Sequence, residues 1–254
     1  MICNFNGLPM IAQLRQHLLT LQRTPGIATG PSTLPLGISA IDGSLGGGLM
    51  RGALHEIAAS GEAHITAATG FALGLARLST SRQHLVWIAE DMAVAESGVP
   101  HGAGLNSFGL APERLVRVST AHRRDLLWAM EEALRCRAVN AVIGEMRTSE
   151  IDKVAVRRLS LAAAGSGALA LLLRAVHPND ASTAATRWVV RTAPSVGSFG
   201  PGAPRFVAQL VRNRRGPVGS WILEWSDTDE QFILAANAQP VVTPVIDRSH
   251  RQVA

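Results

Sequence analysis

The chain has 254 residues, 47% hydrophobic and 17% charged, with a formal net charge of +5 at pH 7. That length suits one α/β domain with short extensions, and the composition excludes a largely disordered chain. No apolar run reaches the roughly 18 uncharged residues of a membrane span, and Cys3 and Cys136 are too few for a disulfide framework and lack metal-ligand spacing.

Met1–Gln22 lacks the basic start, compact apolar run and cleavage site of a secretory signal, although its acid-free composition with Arg15 and Arg23 nearby also suits a transit peptide. A reducing cytoplasm is the expected compartment. Lys153 is the single lysine, so the positive charge is almost wholly arginine. Such a balance suits nucleic acid or an acidic protein surface; genomic nucleotide bias explains it equally well.

Residues 8–24 place Ile11, Leu14, Leu18 and Leu21 at helical spacing, with Gln13, Arg15, Gln16 and Gln22 opposite. This amphipathic helix either packs on its own core or lies in a partner's groove. Residues 24–35 read as linker. Leu34 to Thr69 then reads as a Gly-punctuated loop, a short strand over Gly52–Ala59, a turn and a helix start. Strand, tight turn and helix N-terminus form the geometry that cradles phosphates. A working P-loop writes the turn G-x-x-x-x-G-K-[ST], with the Lys on the β/γ-phosphates and the hydroxyl on Mg²⁺. Here it reads Ala59-Ser60-Gly61-Glu62-Ala63-His64-Ile65-Thr66, which puts His64 in place of the second Gly and Ile65 in place of the Lys. Thr66 alone fits, and the lone lysine at 153 supplies no substitute.

Ala67–Leu78 is an expected buried helix whose Gly70 and Gly74 suit close packing rather than helicity. His84–Ala89 is a buried strand running into Glu90-Asp91. Residues 95–111 form a polar, Gly-rich loop with at most one short helix, and Leu115–Ser119 is the next strand. Asp125–Arg137 is an amphipathic helix with Leu126, Leu127, Met130, Ala133 and Leu134 inward and Glu131, Glu132, Arg135 and Arg137 outward. Val139–Glu145 stands where a Walker B strand would end in a Mg²⁺-holding carboxylate; Glu145 takes that position. In 151–164, Val154, Leu159 and Leu161 are expected inward, and 167–173 is a fully apolar strand. Strand and helix thus alternate four times, which argues a mainly parallel α/β sheet. Residues 187–191, 205–211 and 220–225 then read as an antiparallel extension, joined through the Gly/Pro/Ser loop Pro194–Pro204, where only Phe199 offers a base-stacking face.

LPLG at 34–37, Ile41-Asp42, glycines 46–48 and Arg51-Gly52-Ala53-Leu54-His55-Glu56-Ile57 resemble the opening of the RecA/KaiC recombinase-like ATPase core. Such a core without Walker A, in a chain of this length, resembles the ImuA family of the bacterial inducible-mutagenesis cassette, with the likeness extending over about residues 34–235. The resemblance implies a RecA-like fold: a mainly parallel sheet flanked by helices, with an antiparallel C-terminal hairpin. It divides the chain into an N-terminal helix and linker (1–30), a core with a degenerate P-loop (31–235) and a C-terminal tail (236–254) expected to be disordered alone.

The resemblance also implies a non-catalytic accessory protein of SOS-induced translesion synthesis, without cofactor or metal. Its implied partners are an ImuB-like polymerase-family protein, an error-prone polymerase subunit and RecA. Asp91 falls nearest the family's water-activating carboxylate, or simply caps a loop. Around Asn213, Arg212 and Arg214, with Arg215 beside them, resemble the hairpin that reaches a neighbouring protomer's nucleotide. Without nucleotide they are left for phosphate backbone, an acidic partner or solvent. Arg248 and Arg251 in the tail, like Leu14, Leu18 and Leu21, are candidate partner contacts. Two other readings remain: an ATPase with an unconventional site using Arg77 or Arg51, and a SulA-like cell-division inhibitor.

Overall fold

The computed structural model describes residues 32–79, 84–136, 138–147, 151–175, 182–195 and 202–235. The expected N-terminal helix, with Leu14, Leu18 and Leu21, and the tail with Arg248 and Arg251 lie outside the described residues.

The opening stretch is more ordered than the loop expected from its glycines. Strands β1 (Thr33–Leu34) and β2 (Leu49–Met50) pair antiparallel around helix α1 (Ser39–Ser44). Asp42 accepts hydrogen bonds from Leu36 N at 2.8 Å and Gly37 N at 3.0 Å, so its carboxylate closes the LPLG segment onto α1. Gly48 sits at φ +123°, and a Cβ there would stand 2.4 Å from Leu34 O. Only glycine fits that crossing.

A nine-stranded sheet follows. Its strands are β3 (Leu54–Ala59), β4 (His84–Glu90), β5 (Leu115–Thr120), β6 (Val139–Met146), β7 (Leu169–Arg174), β8 (Thr186–Thr192), β9 (Arg205–Asn213), β10 (Gly219–Ser226) and β11 (Gln231–Leu234). Their order is β11-β10-β9-β8-β3-β7-β6-β4-β5. From β8 to β5 every pairing is parallel; β8, β9, β10 and β11 pair antiparallel. The expected mixed architecture is therefore present, with two differences. The 187–191 strand is not a plain part of the extension, because it also pairs parallel with β3. In addition, β11 forms a fourth antiparallel strand where the sequence offers only a four-residue apolar stretch after a turn.

The crossovers decide the layers. Helix α2 (Ile65–Ser79) carries the chain from β3 to β4 in one direction, and α5 (Arg123–Arg135) and α6 (Lys153–Ser166) return it through β6 and β7. Right-handed connections running opposite ways place helices on opposite faces. Side chains along the strands sort accordingly. Trp87, Ile143 and Leu171 join the α2 core, while Val86, Val142 and Leu172 join the α5–α6 core. On the α2 face, Phe71, Trp188, Phe206, Trp225 and Phe232 form tilted and edge-on ring pairs at 5.0–6.3 Å. Gly70 and Gly74 admit them: a Cβ on Gly74 would stand 2.3 Å from Phe232 Cζ.

Two facing expectations fail on the other layer. Val154 and Leu161 are exposed, while Leu159 is buried as expected, together with Val156 and Ala163. Val154 and Leu161 share one face at helical spacing and Val156, Leu159 and Ala163 another, so periodicity alone cannot choose between the faces. Asp152, which accepts Val154 N at 3.0 Å, starts the helix, and packing on β3 and β7 selects the second set. Glu131 is buried rather than outward, held between Arg135 of its own helix and Arg158 of α6, each at 2.5 Å. The 95–111 stretch holds α4 (Gly102–Ser107), just after α3 (Asp91–Ser97). None of the described helices is long and apolar enough to cross a membrane.

Candidate functional site

The degenerate turn sits where its sequence puts it, at the C-terminal end of β3, with one 3₁₀ turn (Glu62–His64) leading into α2. Its backbone donors turn inward. Ser60 N donates to Val190 O at 3.0 Å and His64 N to Gly61 O at 2.9 Å. The His64 ring leans on the end of β8, its Nδ1 lying 3.4 Å from Thr192 Oγ1 and accepting Thr192 N at the same distance. Ile65 packs partly buried against the α2 core, Glu62 points outward, and Thr66 is exposed at the helix start.

Above this turn lies a cavity of about 260 Å³, walled by α2 and by the segment from Ser97 to Phe108. Its lining brings together three residues singled out in sequence: Ile65, Thr66 and Glu145. Gly61, His64 and Asp91 are not part of it. Asp91 is exposed as the first residue of α3; its neighbour Glu90 is buried and accepts Arg147 N at 2.9 Å.

Glu145 is a buried carboxylate with fixed partners. Trp87 Nε1 donates to its Oε2 at 3.1 Å, and Arg147 Nη2 lies 3.4 Å from its Oε1. Burial pushes its pKa above the usual glutamate value, against the smaller opposing pulls of Arg147 and Trp87. Arg147 also ties α3 to the end of β6, through Ala93 O at 3.2 Å, Glu96 at 2.8 Å and Ser97 Oγ. Sequence reasoning found Glu145 but missed Trp87 and Arg147, because the partners come from β4 and from beyond the end of β6.

These residues do not fit a magnesium triphosphate. The ammonium position holds an isoleucine, an acid sits in the turn, and two of the turn's N–H groups are already used. The metal-facing carboxylate is engaged by an indole and a guanidinium. Arg77 is no stand-in: it lies 11 residues along α2 from Thr66, roughly 16 Å at 1.5 Å per residue, and its Nε donates to Glu230 at 2.9 Å. Arg51 precedes β3, at the end of the strand opposite the turn.

The arginine hairpin is also remote from the turn. Thr186 pairs with both His55 and Asn213, so the β9–β10 connection lies at the N-terminal end of β3. There Asn213 Nδ2 donates to Ser44 O at 2.7 Å and Arg215 Nη2 to Gly46 O at 3.0 Å, which pins the hairpin to α1 and its following loop. Arg214 is exposed and Arg212 half-buried.

The crystal structure of the RadB recombinase superposes with a TM-score of 0.55 at 16% identity, over 79% of this chain and 98% of that one. That likeness establishes a RecA-like fold. No protein-family model matches the chain. Protein ImuA of Caulobacter vibrioides strain NA1000 / CB15N is 32% identical over 217 residues, covering 78% of this chain and 86% of the relative. The protein from strain ATCC 19089 / CIP 103742 / CB 15 gives the same figures. The chain belongs to the ImuA family. In this ImuA-family chain the motif residues Leu36, Gly37 and Asp42 hold one another, and Glu56, from the same motif, accepts from Arg187 Nε at 2.5 Å and Ser182 Oγ at 2.6 Å. The most legible part of the family signature is thus the scaffold around the turn.

Proposed function

We propose that this ImuA-family chain is a non-catalytic accessory protein of SOS-induced translesion DNA synthesis, acting in the cytoplasm. It bridges an ImuB-like polymerase-family subunit, an error-prone polymerase and RecA, with no nucleotide cycle of its own. The observation that carries the reading is the turn from Ser60 to Thr66: the strand–turn–helix geometry is intact while Ile65 and the clamped Glu145 replace the groups that grip a triphosphate. A RecA-like surface without a nucleotide-gated switch associates with partners independently of ATP. Direct DNA contact through Arg212 and Arg214 is secondary in this reading, since the connection from Asn213 to Gly219 that carries Arg214 and Arg215 has no aromatic side chain on which a base could stack.

The test uses the purified full chain with ATP and Mg²⁺, with and without single-stranded DNA. We expect no hydrolysis above a blank and no nucleotide-dependent rise in melting temperature; a ligand at 100 times its Kd would add about 2.7 kcal/mol. Complexes with the two polymerase-type proteins should form equally with and without ATP. Turnover that Thr66→Ala abolishes would overturn the proposal.

A further inference from the structure

From residue 181 to residue 223 the sequence holds six arginines and no acid. Two of the six are answered from outside that stretch: Glu56 takes Arg187 and Glu224 takes Arg205. Three others, Arg212, Arg214 and Arg215, come together where β9 turns into β10, at the end of the sheet remote from the phosphate-type turn. Across the β8–β9 ladder Arg212 stands opposite Arg187, whose counter-charge Glu56 is already engaged. None of the three forms an ion pair with a described residue. Asp42 is the single acid from residue 33 to residue 55, the segment the corner packs on, and its two oxygens accept the Leu36 and Gly37 N–H groups.

The corner is fixed rather than loose. Asn213 Nδ2 donates to Ser44 O at 2.7 Å and to Pro217 O at 3.0 Å, and its Oδ1 accepts Arg215 N at 3.1 Å. Arg215 Nη2 donates to Gly46 O at 3.0 Å. A Cβ on Gly216 would stand 2.3 Å from Ser44 O, so the chain turns there in direct contact with α1. Arg214, Pro217 and Val218 remain exposed on this fixed frame, Val218 at 59%. A partner meeting them has little loop freedom to remove.

Unanswered arginine beside exposed apolar surface selects the occupant. A nucleic-acid backbone would use the guanidinium groups but leave Val218 in water, and no aromatic residue stands between Arg212 and Gly219 for a base to stack on. A peptide with carboxylates around an apolar side chain uses both features. The chain's own terminal segments lack that chemistry: residues 1–31 hold no acid, and residues 236–254 set Asp247 against Arg248 and Arg251. A second copy presenting the same corner would oppose arginines with arginines. We infer that the β9–β10 corner docks an acidic segment of a different protein, with Arg212 and Arg214 on its carboxylates and Val218 against an apolar side chain between them. The inference deepens the adaptor reading and rests on it only for which protein supplies the segment.

The experiment measures fluorescence anisotropy of the full chain with a labelled peptide of Glu and Asp around a central Leu-Val pair, and with its Lys-for-acid counterpart. Single-stranded and duplex DNA oligonucleotides serve as competitors. We expect the acidic peptide to bind about tenfold tighter than the basic one. Arg212→Glu/Arg214→Glu should remove that preference, and Arg214→Glu alone, a fully surface change, should reduce it with an unchanged melting temperature. Val218→Ser should weaken the acidic peptide about threefold and leave any DNA binding as it was. Equal affinity for both peptides, an inert Val218→Ser, DNA that displaces the peptide at lower concentration than the peptide itself, or self-association lost in Arg214→Glu would each overturn the inference. Co-purification with the polymerase-type proteins separates the two readings. If the wild-type chain binds neither, the adaptor reading fails while the peptides still judge the corner.

Discussion

Trp87 Nε1 donates to Glu145 Oε2 at 3.1 Å, linking neighbouring parallel strands β4 and β6. An indole N–H can only donate, so this contact commits one oxygen of Glu145 to the core. Trp87→Phe leaves a buried acceptor short of a partner, which costs about 1–3 kcal/mol. Glu145→Gln keeps a carbonyl for Trp87 and loses the charge that burial opposes, and Arg147, which it no longer pairs, retains Glu96, so its cost should stay below that of Trp87→Phe. Urea denaturation of the two variants at pH 7 checks that ordering.

Adding the missing ammonium alone should not restore a nucleotide site. In Ile65→Lys the new side chain would share the turn with Glu62, while the Ser60 and His64 N–H groups stay bonded to Val190 O and Gly61 O. We expect Ile65→Lys to show no ATP turnover and no ATP-dependent shift in melting temperature.

Acid should destabilise the fold through His55. The ring is fully buried, between Thr186 Oγ1 at 2.7 Å and Met50 O at 2.9 Å. Burial lowers its pKa from 6.5 to about 4, against a smaller opposing effect of the Met50 carbonyl. Between those values the unfolded chain binds the proton and the folded one does not, so stability is full above pH 6.5 and falls toward pH 4. One pKa unit is 1.36 kcal/mol, so the loss from pH 6.5 to 5 is about 2 kcal/mol. Glu145 acts with the opposite sign. Its raised pKa means that ionisation costs stability as pH rises above 4.5, so the steepness of the acid limb reports His55 against that background. Denaturation midpoints at pH 7, 6 and 5 measure it.

Gly74→Ala should destabilise despite alanine's better helix propensity. The propensity gain is about 1 kcal/mol, but the new Cβ would fall 2.3 Å from Phe232 Cζ and 3.0 Å from Trp225 Cζ3. Overpacking of this kind costs about 1–3 kcal/mol, and we expect a net loss. Gly70→Ala, whose tightest contact is 3.1 Å from Phe206 Cε1, should lose less. Thermal melts of the two variants rank them.

The buried ion pair of Glu56 and Arg187 gives a larger effect. Removing one partner strands the other charge in the core, and Arg187→Met should cost about 3–5 kcal/mol. Denaturant melts of Arg187→Met alone and with Glu56→Gln check it, the double variant recovering part of the loss.

The sequence by itself determined the alternation of strands and helices, because runs such as Leu169–Leu173 and Val139–Ile143 are apolar enough only for strands covered on both faces. It also determined that the phosphate turn lacks its lysine, since Ile65 and the single Lys153 are facts of the chain. Only the tertiary structure decided how Glu145 is held, because Trp87 lies 58 residues away and nothing local links the two. The same holds for which side of α6 is buried: Val154/Leu161 and Val156/Leu159/Ala163 have equivalent periodicity, and contact with β3 and β7 breaks the tie. Helical spacing repeats on every face of a helix, and only the neighbour it packs against decides which face water leaves.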